Sequence, residues 1–202
     1  MPQERRKVGN PLALAVLAFL AQRPMHPYEI GRLLKDRNLQ ESVKYRASSL
    51  YMVVEQLERD GYVVPGETSR EGRRPERTTY ELTDAGRAEL TERMRELVST
   101  PTKEYPRFQS ALALLVVLAP DEVLQLLGQR RHRLAARGAE IRARLDAALG
   151  RGVDRVFLIE HEYELALLEA EETFVRRLAE LVHENPPGFG ELWHSLHTDD
   201  GH

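Results

Sequence analysis

Hydrophobic residues recur every three or four positions near the start of this chain, which is the spacing that places them on one face of an α-helix. The first group predicts a buried helix with apolar positions at Ala13, Val16, Leu17 and Leu20. The second group predicts a helix that begins at Pro27 and has its apolar face at Ile30, Leu33 and Leu34. The third predicts a helix from about Ser48 to Asp60, with apolar positions at Leu50, Val53, Val54 and Leu57. Gly61 follows, and glycine suits the left-handed residue that ends many helices.

The pattern changes to short β-rich segments after Gly61. Residues 62–64 and 78–82 are rich in β-branched and aromatic side chains, and they predict the two strands of a hairpin. The predicted loop between them, residues 65–77, is longer than the usual hairpin connection of about 2–5 residues. It carries the arginines Arg70, Arg73, Arg74 and Arg77. A helix capped by Thr83 or Asp84 then runs through Leu90, so the whole segment predicts a winged helix-turn-helix.

Two long helices dominate the pattern of the second half. A short helix is expected to end at Pro120, and Asp121 is expected to cap a long helix to about Leu149. A glycine turn at residues 150–152 precedes a second long helix, from Val153 to about Val182. The predicted fold class is therefore mainly α. Its predicted parts are a winged helix domain at 1–98, a linker at 99–107, a helical dimerisation domain at 108–185 and a flexible C-terminal arm at 186–202.

The two long helices predict an antiparallel hairpin that dimerises. Each helix has an apolar stripe, and one hairpin cannot cover both stripes. A second copy of the chain is the expected partner, because a symmetric dimer also presents two recognition helices to DNA. The residues predicted to form this dimer surface are Leu126, Leu134, Leu145, Leu165, Leu168 and Phe174.

Charge is divided unevenly along the chain, whose net charge is −3. Residues 1–95 contain 17 Lys and Arg against 14 Asp and Glu, a net +3, whereas residues 96–202 contain 12 against 18, a net −6. This division favours contact with DNA through the N-terminal part. The residues predicted to contact DNA are Lys44, Arg46, Ser48, Ser49, Tyr51, Met52, Arg70, Arg73, Arg74 and Arg77.

Several motifs in this region share their order and spacing with a known family. They are Pro27-Tyr28-Glu29-Ile30, Ser49-Leu50-Tyr51, the run from Leu57 to Val63, Gly72-Arg73-Arg74-Pro75 and the run from Tyr80 to Gly86. Over roughly residues 11–95 the chain resembles the PadR family of bacterial transcriptional regulators, and the remainder resembles the longer C-terminal region of one PadR subgroup. The resemblance implies a DNA-binding winged helix and an inducer pocket between the domains, although the aromatic residues available to line one are more often packing residues.

Other kinds of site find little support in the sequence. The chain has no cysteine, which removes disulfides and thiolate chemistry, and no apolar run approaches the roughly 20 residues of a membrane helix. His194 and His197, with His202, are a weak metal candidate because they follow a Pro-Pro-Gly break. The glutamates of residues 160–172 have the spacing of a solvated helix face. We therefore expect no metal, no cofactor, no catalytic residue and no membrane segment.

The predicted function is that of a sequence-specific, DNA-binding transcriptional regulator in the cytoplasm. We expect a homodimeric repressor whose helix from Ser48 to Asp60 enters the major groove of a double-stranded operator, with release by a small-molecule effector or a partner. The alternative is a protein-interaction module in which the winged helix does not bind DNA. Salt dependence separates the two, because phosphate contacts release counterions and DNA affinity then falls steeply with added salt.

Overall fold

The computed structural model describes residues 8–37, 39, 43, 45–69 and 77–198. The chain folds as two compact units, Met1–Lys103 and Glu104–His202. The predicted fold class is confirmed, because the chain is mainly helical, with a winged helix-turn-helix first and long helices after it. Four predicted DNA contacts lie outside the described residues, namely Lys44, Arg70, Arg73 and Arg74.

The described part of the first unit contains four helices and a two-stranded antiparallel sheet. In chain order these are α1 (Pro11–Leu20), α2 (Pro27–Asp36), α3 (Ala47–Arg59), β1 (Val63–Ser69), β2 (Arg77–Leu82) and α4 (Asp84–Ser99). The three helices predicted before the hairpin are confirmed, because their apolar faces converge on one core. That core includes Val16, Leu17, Ile30, Leu34, Leu50, Val54 and Leu57, each at most 2 % exposed.

The hairpin is longer than the sequence predicts. Its strands pair from Val63 opposite Leu82 to Ser69 opposite Arg77. The first strand therefore continues through residues 65–69, which the sequence pattern assigns to the loop. The register shifts between Pro65 and Thr68, and proline has no N–H to donate to the ladder. A polar strand end of this kind lacks the alternation on which strand prediction depends.

The junction between β2 and α4 depends on Thr83 and Gly86. Of the two caps that the sequence allows, Thr83 and Asp84, the structure has Thr83, whose hydroxyl oxygen accepts the N–H of Gly86 at 3.0 Å. The same hydroxyl donates to the carbonyl of Gly61 at 2.9 Å. Gly61 has a φ of 74°, as expected for the residue that ends α3. The side of Gly86 faces the carbonyl oxygen of Tyr62 so closely that a Cβ would not fit between them.

The described part of the second unit is built on two long helices. Its helices are α5 (Arg107–Ala113), α6 (Pro120–Gly150), α7 (Ile159–Glu184) and α8 (Glu191–Thr198), with 3-10 turns at Leu115–Val117 and Arg155–Leu158. Ion pairs join Arg130 to Glu171 and Arg137 to Glu164. Their order along the helices makes α6 and α7 antiparallel. The two predicted long helices are confirmed.

Two predicted helix starts in this unit are wrong by a few residues. Pro120 is the first residue of α6 instead of a break before it, and Ala119 holds the N-cap position expected for Asp121. Proline fits the first turn because its missing N–H has no helical partner there. The second long helix begins at Ile159 instead of Val153, because the Asp154 side chain caps a 3-10 turn first.

Several residues predicted for the dimer surface pack inside the second unit. Leu145 is 8 % exposed, in an apolar cluster against which Leu165 and Leu168 pack. Leu134 packs against a separate cluster around Val123 and Val175. The two exposed members of the predicted set are Leu126 and Phe174. The inner stripes of α6 and α7 therefore hold the hairpin itself together.

The C-terminal segment contains a packed helix where the sequence predicts a flexible arm. Trp193 of α8 is 6 % exposed and belongs to the same apolar cluster as Val123 and Val182. Its indole N–H donates to the carbonyl of Leu118 at 2.7 Å, and His197 Nε2 donates to the carbonyl of Val116 at 2.9 Å. A large aromatic ring with a satisfied N–H holds this short helix in place. The prediction of a loose arm is wrong for α8, and residues 199–202 lie outside the described part.

Candidate nucleic-acid interface

The third helix has one buried face and one exposed face. Leu50, Val54 and Leu57 are at most 2 % exposed and join α3 to the core. The opposite face is exposed and consists of Ser48, Met52, Glu55 and Arg59. These four positions span an arc of about 60°, since successive residues of a helix are about 100° apart. We call this set the α3 face, and it combines a hydroxyl, a thioether, a carboxylate and a guanidinium group.

Two predicted contact residues, one beside the α3 face and one on it, are exposed to solvent. Tyr51 is 47 % exposed and Met52 is 68 % exposed, so both side chains are accessible to a partner. Ser49 is only half-buried, and its backbone N–H donates to the carbonyl of Arg46 at 3.0 Å. The exposed predicted contacts on and beside this helix are therefore Arg46, Ser48, Tyr51 and Met52, with Ser49 on the flank of the helix.

The N-terminus of α3 differs from those of α2 and α4. His26 Nδ1 accepts the N–H of Tyr28 at 3.0 Å at the start of α2, and Thr83 caps α4. Arg46 has the same position before α3, and its side chain makes no capping hydrogen bond. The first N–H groups of a helix carry the positive end of its dipole, which favours an anion such as a phosphate oxygen. The exposed Arg46 adds a positive charge beside them.

Tyr80 connects the hairpin to the helices. Its N–H donates to the carbonyl of Met25 at 2.9 Å, and its carbonyl accepts the N–H of Met25 at 3.2 Å. Burial raises the pKa of the Tyr80 hydroxyl, and the Glu58 carboxylate on α3 raises it further through its charge and a hydrogen bond. The protonated hydroxyl therefore donates to Glu58. These contacts join the wing strand β2 to α3 and to the segment just before α2.

Three exposed residues are absent from the predicted contact set. Glu55 and Arg59 follow Met52 on the α3 face, and Tyr28 is 62 % exposed at the start of α2. Intervals of four, three and four residues lead from Ser48 through Met52 to Glu55 and Arg59. Because these intervals repeat the helical period, the sequence could have indicated Glu55 and Arg59 as contacts. Tyr28 carries no such signal, since a tyrosine near a helix start packs as readily as it faces water.

The arginine-rich part of the wing lies mostly outside the described residues. Arg77 pairs with Ser69 through the strands of the hairpin. Arg70, Arg73 and Arg74 are not described, and neither is Lys44 before α3. Contact between these four residues and DNA stays a prediction, supported by four arginines within the eight residues from 70 to 77.

Neither a metal site nor a membrane span is found in the described part of the chain. No group of three or more His, Cys, Asp or Glu residues there is arranged to hold a metal ion. Among the same residues, no helix is both long and apolar enough to cross a bilayer. His197, which the sequence offers as a weak metal candidate, contacts the Val116 carbonyl.

Comparison with known proteins identifies the first unit. Residues 16–92, which extend from α1 into α4, match the model of the transcriptional regulator PadR-like family. Over these residues the chain is similar to the PadR-like family of transcriptional regulators. The resemblance read from the sequence motifs is confirmed, and the α3 face lies within the matched residues.

Solved regulator structures share the PadR-like fold over most of this chain. Bacillus subtilis PadR in complex with operator DNA has a TM-score of 0.67 at 17 % identity, covering 85 % of this chain and 97 % of that chain. The Vibrio cholerae virulence activator AphA has a TM-score of 0.63 at 16 % identity, covering 87 % and 99 %. Bacillus subtilis PadR in complex with p-coumaric acid has a TM-score of 0.58 at 17 % identity, covering 82 % and 99 %. No curated protein matches the sequence.

Proposed function

We propose that this PadR-like chain is a cytoplasmic homodimer that represses transcription by covering an operator with α3 and the wing. The observation that carries the proposal is the exposed α3 face, next to an uncapped helix N-terminus in a winged helix. The major groove admits one α-helix, and the exposed side chains of that helix can reach the base edges. The solved complex of Bacillus subtilis PadR with operator DNA supports the same use of this fold.

The side chains of α3 match chemical groups of the major groove. Arg59 can donate two hydrogen bonds to a guanine, and Glu55 can accept one from the amino group of a cytosine. Met52 offers apolar surface to a thymine methyl group. Arg46 and the first N–H groups of the helix suit a phosphate, which positions the helix without reading sequence. We therefore assign base reading to the α3 face and anchoring to its N-terminus.

Base reading is tested on an operator selected from genomic fragments by the purified chain. Arg59→Ala and Glu55→Gln should each weaken binding to that operator by about 1–3 kcal/mol, because each loses a contact with one particular base pair. Fluorescence anisotropy with labelled operator and unrelated DNA measures the difference. Arg151→Ala is the matched control for Arg59→Ala, since it removes the same charge from the exposed turn after α6. Operator affinity equal to the control in both variants contradicts the placement of α3 in the groove.

The alternative function, a protein-interaction module, predicts a different dependence on salt. Each phosphate contact contributes about −0.9 to the slope of log affinity against log salt concentration. A slope of about −4 or steeper therefore supports several phosphate contacts by the winged helix. A chain that binds no genomic fragment even at low salt supports the protein-interaction module instead.

The proposed dimer surface is an exposed apolar stripe on α7. Its members and their exposed fractions are Ile159 (56 %), Tyr163 (66 %), Leu167 (53 %), Phe174 (48 %) and Leu181 (41 %). At about 100° per residue they span an arc of about 80°, which is the width of a helix-packing stripe. Val175 and Val182 lie about 100–120° around α7 from the centre of this set, and they are buried against α6. We call the exposed set the α7 stripe.

The size of the α7 stripe favours a permanent partner. Five half-exposed side chains of this kind leave on the order of 500 Å² of apolar surface in water, if each offers about 200 Å² when fully exposed. That equals the largest apolar patch of a typical monomer, and such patches mark interaction sites. Because a two-fold axis brings identical surfaces together, one stripe can cover its own copy. A homodimer would also place two α3 helices on one operator.

Sedimentation velocity tests the dimer. Leu167→Asp should convert dimers to monomers at micromolar concentration, because a charge in the middle of the α7 stripe would have to be buried without a partner. Ala136→Asp is the matched control, since it adds the same charge at an exposed position on the outer side of α6. An unmodified chain that sediments as a monomer refutes the proposal, as does a Leu167→Asp chain that remains a dimer.

Release by a small molecule completes the proposal. Bacillus subtilis PadR has been solved with p-coumaric acid, which supports an effector for this chain as well. The virulence activator AphA shares the fold, so the sign of regulation needs its own measurement. A reporter placed behind the selected operator should give more product when the gene for this chain is deleted. Less product after deletion would make the chain an activator.

A further inference from the structure

A cavity beside the C-terminal helix is lined by residues that belong to neither the α3 face nor the α7 stripe. Its volume is about 410 Å³, and it lies where α8 packs beside the 3-10 turn at Leu115–Val117. A cavity of this size accommodates a small organic molecule. The described residues that line it are Val116, Gly188, Gly190, Glu191, Leu192, Trp193 and Leu196.

The walls of the cavity are apolar and partly preformed. Trp193 is fixed by the hydrogen bond from its indole N–H to the Leu118 carbonyl at 2.7 Å. Val116, Leu192 and Leu196 are 54 %, 73 % and 54 % exposed, so their apolar atoms face solvent. An aromatic or branched apolar group that entered would cover these side chains.

Glu191 gives the cavity a negative charge. It is the one charged side chain among the described residues that line the cavity. The Gly188 N–H donates to Glu191 Oε1 at 3.1 Å, which orients the carboxylate beside the cavity. Residues 96–202 carry a net charge of −6, from 12 Lys and Arg against 18 Asp and Glu, so the surrounding half of the chain also favours a cation.

We propose that this cavity binds a small organic cation with an apolar body, such as an aryl or alkyl ammonium ion. The apolar body would cover Val116, Leu192 and Leu196, while the charged head would lie near Glu191 and the ring of Trp193. Aromatic rings attract quaternary ammonium groups through their negative faces. A bound cation would touch both α8 and the 3-10 turn, and so it would strengthen the attachment of α8. That such binding also changes operator affinity is a second step, which rests on the proposed function.

The tryptophan in the cavity wall supplies a direct readout, because the chain contains one Trp only. Phenyltrimethylammonium is the cationic probe, tert-butylbenzene its neutral isostere and benzenesulfonate the anionic comparison. Titration of the full-length chain with the cation should change the Trp193 fluorescence in a saturable way. The neutral isostere should bind at least tenfold more weakly, and benzenesulfonate should not saturate.

Glu191→Gln removes the charge and retains an oxygen that can accept the Gly188 N–H. It should weaken cation binding at least tenfold and leave binding of the neutral probe unchanged. Glu184→Gln is the matched control, since it removes an exposed charge near the end of α7 that does not line the cavity. Equal affinity of Glu191→Gln and Glu184→Gln for the cation overturns the proposal, as does equal binding of the three probes by the unmodified chain.

Dimerisation over the same face would also overturn it. In that case the cation would bind only to the monomeric Leu167→Asp chain and not to the unmodified dimer. Operator affinity is measured separately with and without the cation. Saturable cation binding by a chain that does not bind DNA leaves the cation site standing and refutes the proposed function. Operator binding without cation binding refutes the cation site and leaves the proposed function standing.

Discussion

Gly86 lies at the point where the wing returns to the helices, and its replacement by alanine tests why the motif from Leu82 to Gly86 has this form. A Cβ at this position would lie less than 3.0 Å from the carbonyl oxygen of Tyr62 and 2.7 Å from Leu82 Cδ1. The Leu82 methyl group can rotate away. The Tyr62 carbonyl cannot move freely, because it accepts the backbone N–H of Thr83 at 3.1 Å.

The expected loss of stability follows from three effects. Forcing a methyl group into a packed site costs about 1–3 kcal/mol, and weakening the Thr83 hydrogen bond costs about 1 kcal/mol more. Alanine has a better helix propensity than glycine in α4, and this offsets at most about 1 kcal/mol of the loss. We therefore expect Gly86→Ala to lower the free energy of unfolding of the first unit by about 1–3 kcal/mol, the sum of these effects.

The assay is urea unfolding of the full-length chain followed by far-ultraviolet circular dichroism. Gly128→Ala in α6 is the control, because apart from its chain neighbours and the backbone of its own helix no heavy atom lies within 4 Å of the position of its Cβ. This control should stabilise the chain by about 0.5–1 kcal/mol, since alanine is the better helix former. A Gly86→Ala chain that is as stable as the unmodified chain, or more stable, would falsify the steric explanation of the motif.

The remaining predictions concern the wing, Tyr80 and the cap of α2. The double change Arg73→Ala and Arg74→Ala should weaken binding to operator and unrelated DNA alike, because phosphate contacts carry no base identity. It should also reduce the slope of log affinity against log salt concentration by up to about two units, as measured by anisotropy. An unchanged slope removes these residues from the interface. The raised pKa of Tyr80 adds stability that is present below about pH 10 and lost as the pH rises through the raised value. The free energy of unfolding should therefore fall less with rising alkaline pH in Tyr80→Phe than in the unmodified chain. Identical profiles of unfolding free energy against pH contradict this. His26→Ala should cost about 1 kcal/mol in urea unfolding, and His26→Asn less, because asparagine can still accept the Tyr28 N–H; equal losses in both variants contradict capping by His26.

The sequence predicts the first unit better than the second, for a physical reason. Helices α2 and α3 each have a single apolar face, so the positions of Ile30 and Leu50 specify what is buried. In the second unit α7 has apolar residues on both sides. The pattern alone does not separate Leu168, which packs within the unit, from Phe174, which is exposed. The helix α8 is also missed, because Trp193 finds its carbonyl partner 75 residues earlier in the chain.

The α3 helix is joined to the core along one face and tied to the hairpin at its C-terminal end, and this limits how DNA binding can be regulated. At the C-terminal end, Glu58 accepts the Tyr80 hydroxyl, and Gly61 accepts the Thr83 hydroxyl at 2.9 Å. At the N-terminal end, Arg46 makes no capping hydrogen bond. A packed core resists bending, because its side chains interlock at high density. A signal that weakens operator binding should therefore move the winged helix as one body and change the separation of the two α3 helices in the proposed dimer, leaving the shape of each α3 face unchanged.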